Sequence, residues 1–174
     1  LRLDAVWFVP AGTPPHKRER RITPIEHRLA MLQLALSDNP AFVVSRIDVD
    51  RPGPHYTVDM VALVRRERPN ADIFFLMGGD SLRDLPIWRD APRLIDLCRL
   101  GVYRRPEDGV DLAALEQALP GVSQRIVLVD GPSVGLSASA IGQRVREGRS
   151  IRYLVPARVR AYIDAHRLYA EPAI

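Results

Sequence analysis

A chain of 174 residues, 47% of them hydrophobic and with a formal net charge of +4, fits one domain with a real core, and no apolar run is long enough to span a bilayer. The positive balance does not select nucleic acid as a partner, because the arginines are spread along the chain instead of gathered into a basic block with interleaved aromatics. The single cysteine, Cys98, excludes an internal disulfide and, beside Leu97 and Leu100, reads as a core thiol in a reducing compartment.

The opening LRLDAVWFVPAG lacks a small-residue cleavage site and does not read as a signal peptide. Within it, Asp4 to Pro10 is expected to be a short buried strand, and Ala11 to Arg21, AGTPPHKRERR, a loop that proline keeps out of helix. A loop directly after a parallel strand belongs to the ligand face of the sheet. It carries Lys17, the only lysine among 25 basic residues, a compact ammonium in a chain otherwise served by guanidinium; chance and a specific role both account for it. Thr23-Pro24-Ile25-Glu26 predicts a helix start, with Thr23 as cap, Pro24 at the first position and Glu26 closing a capping box. That helix continues through HRLAMLQLALSD with Leu29, Leu32 and Leu36 at helical spacing, and His27 in its first turns reads as solvated or capping more than as a ligand.

Phe42 to Asp50 is expected to be a second strand, whose alternation after Ser45 suggests an edge or half-exposed position. Arg51-Pro52-Gly53-Pro54 is a turn, and Thr57 is placed to cap a helix from Val58 to Arg68, whose free N-H groups suit an anion; a structural cap with a packed tyrosine fits the spacing equally. The chain is organised around Ala71 to Asp90, ADIFFLMGGDSLRDLPIWRD. The apolar run Ile73 to Met77 predicts a parallel strand covered by helices on both faces, and ligands bind beyond the carboxyl ends of such strands. At that end Gly78 and Gly79 allow close backbone approach, Asp80 accepts hydrogen bonds from ribose or a ring N-H, and Ser81 suits a cap. A plain strand-to-helix turn is the alternative there.

Helical turns are expected through Asp96, then a strand at Arg99 to Tyr103 closed by Arg104-Arg105-Pro106. A helix from Val110 to Leu119 follows, then a strand from Gln124 to Val129 and a loop from Gly131 to Gly135. Ser137 and Ser139 stand at the start of an arginine-rich helix running to Arg146 and stopping at Gly148. They form a candidate phosphate cradle with Arg144, the alternative being Ser139 as a simple N-cap. A terminal helix, Ala157 to His166, uses Val159, Tyr162 and Ile163 as its packing face. Strand, loop and helix alternate throughout, so the fold class is α/β with one parallel sheet in a single domain, residues 1–174.

The stretches VWFVPAGTPPHK, EHRLAML, RPGPHYTVD, FFLMGGDSLRDLPIW, LSASAI and SIRYLVPARVRAYIDAHRLY occur in this order, and together they resemble the bacterial nicotinate-nucleotide adenylyltransferases. The resemblance implies a Rossmann-like nucleotidylyltransferase fold and a cytoplasmic enzyme of NAD biosynthesis. Its reaction would join the adenylyl group of ATP to nicotinate mononucleotide, with Mg²⁺ assisting. It implies that Thr13, Pro15, His16 and Lys17 line a substrate loop, with Lys17 facing phosphate as the candidate catalytic residue. Tyr56, Thr57 and Trp88 would form the nicotinate pocket, Gly79 and Asp80 would hold adenosine, and Ser137, Ser139 and Ile141 would match the family signature ISSTxIR over the triphosphate.

Two departures accompany the resemblance. The family's strand and glycine turn GGTFDPxHxGH, whose histidines bind the reacting phosphates, has no counterpart in the chain. A βα unit of roughly thirty residues is therefore expected to be missing. Its loss would open an edge that a homo-oligomer could cover, and would leave a weak catalyst. Gly142 stands where ISSTxIR has arginine, and Arg144 is displaced from it by about 200° around the helix. Transfer to another small phosphorylated acceptor and a non-catalytic nucleotide-binding module are the rival readings; the stacking aromatics speak against the first and the absent histidines for the second.

Overall fold

A computed structural model describes residues 1–12, 22–103, 109–132 and 134–170. In chain order its elements are β1 (Val6–Phe8), α1 (Ile25–Leu36), β2 (Phe42–Val44), α2 (Thr57–Glu67), β3 (Phe74–Gly78), α3 (Gly79–Arg83), α4 (Ala91–Leu97), β4 (Arg99–Tyr103), α5 (Leu112–Ala118), β5 (Ile126–Val129), α6 (Ala138–Arg146) and α7 (Ala157–Ala165). Short 3-10 turns stand at Leu85–Ile87 and Val122–Arg125. All described strand pairings are parallel, as alternation of strands with helices requires. They form two ladders, β1-β2 and β3-β4-β5, and no ladder among the described residues joins them. The chain divides likewise into two compact units, residues 1–2 with 54–133 and residues 3–53 with 134–174. No helix among the described residues is long and apolar enough to cross a membrane.

In the unit of residues 54–133, β4 lies between β3 and β5, with Phe75 level with Leu100 and Leu100 level with Ile126. Alternation along the strands sends Leu100 and Val102 into a core that also encloses Leu82, Leu85, Leu94 and Val122. The expectation of a strand covered on both faces holds on one face only among the described residues. Met77 is buried, but Leu76 is 47% exposed and lies over Gly101, where a Cβ would come within 2.6 Å of its Cδ2. Arg65, in the last turn of α2, donates to the carbonyls of Ala71 and Leu97 and so ties that helix to the entry of β3 and the end of α4. Cys98 is buried with its Sγ on the Leu94 carbonyl, and burial pushes its thiol up to about 11. The folded protein is therefore expected to resist a thiol reagent at pH 8 until it is unfolded. Below pH 9 the thiol leaves stability unchanged, and stability falls as pH rises from about 9 to about 11, because only the unfolded chain ionises freely there. Rapid labelling of the native protein at pH 8 would contradict this.

In the unit of residues 3–53 and 134–170, Val6 to Phe8 pair in register with Phe42 to Val44. β2 ends at Val44, six residues short of the expected strand, because the following residues close a helical turn: the Asp50 amide donates to the Arg46 carbonyl and their side chains pair at 2.7 Å. Asp48, buried, pairs with Arg51 in the same turn. Helix α1 starts one residue later than predicted. Pro24 is its N-cap with extended backbone, no side-chain cap bond forms, and the Thr23–Glu26 capping box is absent. Leu29 is the buried residue of α1, and Ile151, Val159 and Ile163 form a core against which Met31, Leu34, Ile141 and Val145 pack. His27 is half-buried and is not a cap. Its Nδ1 shares a hydrogen bond with the Tyr162 hydroxyl at 2.9 Å, and the His166 ring packs on Tyr162 at 4.2 Å, which binds α1 to α7.

Candidate functional site

Tyr56, Thr57 and Trp88, which the sequence assigned to one pocket, lie in the unit of residues 54–133. The 3-10 turn at Leu85–Ile87 is anchored by fully buried Leu85 and hands the chain to Trp88, whose amide donates to the Leu85 carbonyl. The half-buried Trp88 ring meets Phe75 of β3 edge to face, with centroids 6.0 Å apart and planes at 81°. Asp90 then takes a left-handed conformation, φ 51°, which turns the chain into α4. Trp88 and Tyr56 both pack on the same core cluster. Tyr56, not Thr57, is the N-cap of α2, with backbone in the extended region and no side-chain cap bond. Thr57 is thus the first helical residue. The Met60 amide is the first to bond back, to the Tyr56 carbonyl, so the three amides before it have no partner within the helix.

Arg89 was not assigned a role by the sequence, although it adjoins Trp88. The structure places its guanidinium over the Tyr56 ring, Cζ 5.9 Å from the centroid, so a cation sits on the N-cap residue of α2. Only the tertiary contact reveals it, because its partner is 33 residues away in a different turn.

At the end of β3, Gly78 is the N-cap of α3 and Ser81 lies inside that short helix, so Ser81 is not the cap. Gly79 is buried. Gly78 has ordinary backbone, φ −87°, and a Cβ built on it would meet nothing within 4 Å, which leaves open space at the carboxyl end of the strand. Asp80 is 74% exposed at its side chain and pairs with Arg83 at 3.2 Å, so its carboxylate faces outward with acceptor capacity left.

In the other unit, Ser137 and not Ser139 caps α6: its Oγ accepts from the Ala140 amide at 3.1 Å. Ser139 is exposed in the first turn, and Ile141 packs toward the core of α7. The Ala138 and Ser139 amides precede the first bonded one and are open to an anion by helix geometry. Arg144 is turned away from that start. Its Nε and Nη2 both donate to the Ser150 carbonyl, at 3.0 and 2.8 Å, which fastens the chain beyond the helix's far end. Gly142, buried against Tyr169 and Arg146, carries no side chain toward any ligand. Thr13, Pro15, His16 and Lys17 lie outside the described residues. Among the described residues, no three His, Cys, Asp or Glu side chains are grouped to hold a metal ion.

The profile of the Cytidylyltransferase-like family matches residues 1–144. A protein of Thermomicrobium roseum named a probable nicotinate-nucleotide adenylyltransferase is 53% identical, the match covering 97% of this chain and 79% of that one. A protein of the same name from Thermus thermophilus is 43% identical over 97% of this chain and 85% of its own. Among solved structures, the Plasmodium falciparum nicotinic acid mononucleotide adenylyltransferase complexed with NaAD superimposes with a TM-score of 0.74. It covers 96% of this chain and 83% of that one at 16% identity, a likeness of fold. The matched family profile and the relatives that align over nearly all of this chain establish that it belongs to the nicotinate-nucleotide adenylyltransferases of the cytidylyltransferase-like family.

Proposed function

We propose that this chain, with both units acting as one nucleotidylyltransferase domain, transfers the adenylyl group of ATP to nicotinate mononucleotide in the cytoplasmic synthesis of NAD. A phosphate oxygen of the mononucleotide attacks the α-phosphorus of ATP, the bond between the α-phosphorus and the bridging oxygen breaks, and pyrophosphate leaves as deamido-NAD forms. Such a transfer needs alignment and neutralisation of charge more than a covalent nucleophile. Mg²⁺ is taken to arrive on the triphosphate as part of the substrate, held largely by phosphate oxygens and water.

One observation carries the reading: Trp88 and Tyr56 pack on one core, and Tyr56 is the N-cap of α2, whose first three amides have no partner within the helix. An aromatic face and free N-H groups are what a pyridine carboxylate calls for, the ring by stacking and the anion by the positive end of the helix. Arg89, over Tyr56, adds a cation that favours the acid over the amide. By motif, Thr13, Pro15, His16 and Lys17 are assigned to the substrate loop, with Lys17 on phosphate. Gly79 and Asp80 are assigned to adenosine, and Ser137, Ser139 and the adjacent amides to the triphosphate. Arg144 is left out of the cradle, since its donors hold Ser150.

Titration calorimetry with the two pyridine mononucleotides tests the pocket. Nicotinate mononucleotide is expected to bind at least about tenfold more tightly than its amide, a difference of roughly 1.4 kcal/mol. Equal affinities would remove the carboxylate from α2. The end of β3 has its own test, Gly78→Ala. With no neighbour within 4 Å of the new Cβ, stability should stay within about 1 kcal/mol. ATP affinity should fall by about tenfold, as an ill-fitting methyl in a shaped pocket costs roughly 1–3 kcal/mol. Unchanged ATP affinity would place the nucleotide elsewhere.

A further inference from the structure

Gly78, Tyr103 and Val129 stand level at the carboxyl end of the β3-β4-β5 ladder, and Leu76, Gly101 and Val127 stand level one step earlier on the same face. Contacts agree with that face. Leu76 lies over Gly101, joined by Leu1, whose Cδ1 comes within 3.2 Å of where a Gly101 Cβ would be. It is the face opposite the one on which Phe75 meets Trp88.

Past Gly101 the cover stops among the described residues. A Cβ on Gly78 would meet nothing within 4 Å, and Leu76 beside it is 47% exposed. The Tyr103 ring is turned from this space toward the chain leaving β5. Its hydroxyl donates to the Pro132 carbonyl at 2.5 Å, and a Cβ on Gly131 would come within 2.9 Å of its Cε2, so a side chain at 131 would force the ring to shift. The result is a shallow bay with peptide for a floor, Leu76 on one side and a tethered aromatic ring on another. A flat ring fits it, resting on the glycine backbone with the phenol as aromatic neighbour. Asp80, just beyond Gly78, is exposed with acceptor capacity left beside Arg83, which suits a ligand that joins a flat ring to hydroxyls, as a nucleoside does.

We propose that Tyr103 is a nucleobase-binding residue: with Gly78 and Leu76 it seats the adenine of ATP, on the sheet face opposite Phe75 and Trp88. The choice of ATP rests on the proposed function; the bay rests on the strand register, the bare Gly78 and the Tyr103–Pro132 bond.

The test titrates the wild-type protein, Tyr103→Leu, Tyr103→Phe and Gly131→Ala calorimetrically with ATP, with inorganic tripolyphosphate and with nicotinate mononucleotide. Tyr103→Leu is expected to weaken ATP binding by about tenfold to a hundredfold, the usual worth of a base stacked on an aromatic ring. Tyr103→Phe, which keeps the ring and loses the tether, should fall between it and the wild type. Gly131→Ala shifts the ring without removing it and should weaken ATP by about threefold or more; it decides the matter if the leucine variant does not fold. Tripolyphosphate and the mononucleotide should bind every variant within about twofold of wild type. Ultraviolet difference spectra add a readout that a purely structural role leaves alone: adenine stacked on Tyr103 absorbs less, and that loss should vanish in Tyr103→Leu. ATP affinity within about twofold of wild type in both Tyr103→Leu and Gly131→Ala would overturn the proposal, and so would equal losses of ATP and tripolyphosphate affinity. Selective loss of ATP affinity in a protein that forms no deamido-NAD would uphold the base site and refute the proposed reaction. Unaltered ATP affinity in a protein that does form it would do the reverse.

Discussion

Trp88→Ala is expected to weaken nicotinate mononucleotide binding by about tenfold to a hundredfold, because stacking of a base on an aromatic ring is worth roughly 1–3 kcal/mol. ATP affinity should be nearly unchanged, since the indole is assigned to the pyridine. The ring also meets Phe75 edge to face and packs on the core, so the alanine variant will lose stability as well. Trp88→Phe separates the two effects: it keeps an aromatic face for the pyridine and most of the packing. Calorimetric titration of both variants with each ligand gives the answer. A mononucleotide affinity within twofold of wild type in Trp88→Ala would take this residue out of the pocket.

The largest expected effect on stability is at Leu100. Its side chain is fully enclosed, and its strand pairs on both sides, with Phe75 opposite on β3 and Ile126 on β5. Its strand is held by pairing on both edges, so the space an alanine would leave can close only in part. Leu100→Ala is therefore expected to cost about 3–5 kcal/mol, a large share of the roughly 5–15 kcal/mol that holds a domain folded. Leu128→Ala is the control. Leu128 lies on the neighbouring strand but is 44% exposed, so its loss should cost about 1 kcal/mol or less. Urea unfolding followed by far-UV circular dichroism measures both. Equal midpoints for the two variants would mean that the core is not where the packing puts it.

Strand positions were legible in the sequence wherever apolar residues were bounded by strong stops. Arg99 to Tyr103 is a strand over the residues expected, and the run beginning at Ile73 gives β3 with its ends shifted by one. Helix caps were less legible. Thr23, Thr57 and Ser81 all have capping side chains, yet Pro24, Tyr56 and Gly78 take the cap positions. A cap is defined by extended backbone at one residue, and proline or the preceding chain direction sets that before a hydroxyl can choose. The failure of β2 to continue past Val44 has a local cause in the Arg46–Asp50 pair, which alternation of apolar residues could not weigh against a strand.

The candidate site divides the same way. Its backbone parts, the glycine turn after β3 and the starts of α2 and α6, follow from local signals. Arg89 and the engagement of Arg144 do not, because each depends on which carbonyl or ring the fold brings within reach of a long flexible cation. Arginine is too common in this chain for composition to single out those two. The His27–Tyr162 bond, across 135 positions of sequence, was hidden for the same reason.

The reaction is tested by a single-turnover experiment with protein in excess over nicotinate mononucleotide, supplied with ATP and Mg²⁺. Pyrophosphate and deamido-NAD are expected to appear in equal amounts, faster than in the absence of protein and faster than when the amide replaces the acid. Even a slow rate would register, because excess protein makes one turnover visible. Bound substrates that yield neither product, or products formed at the same rate from acid and amide, would contradict it.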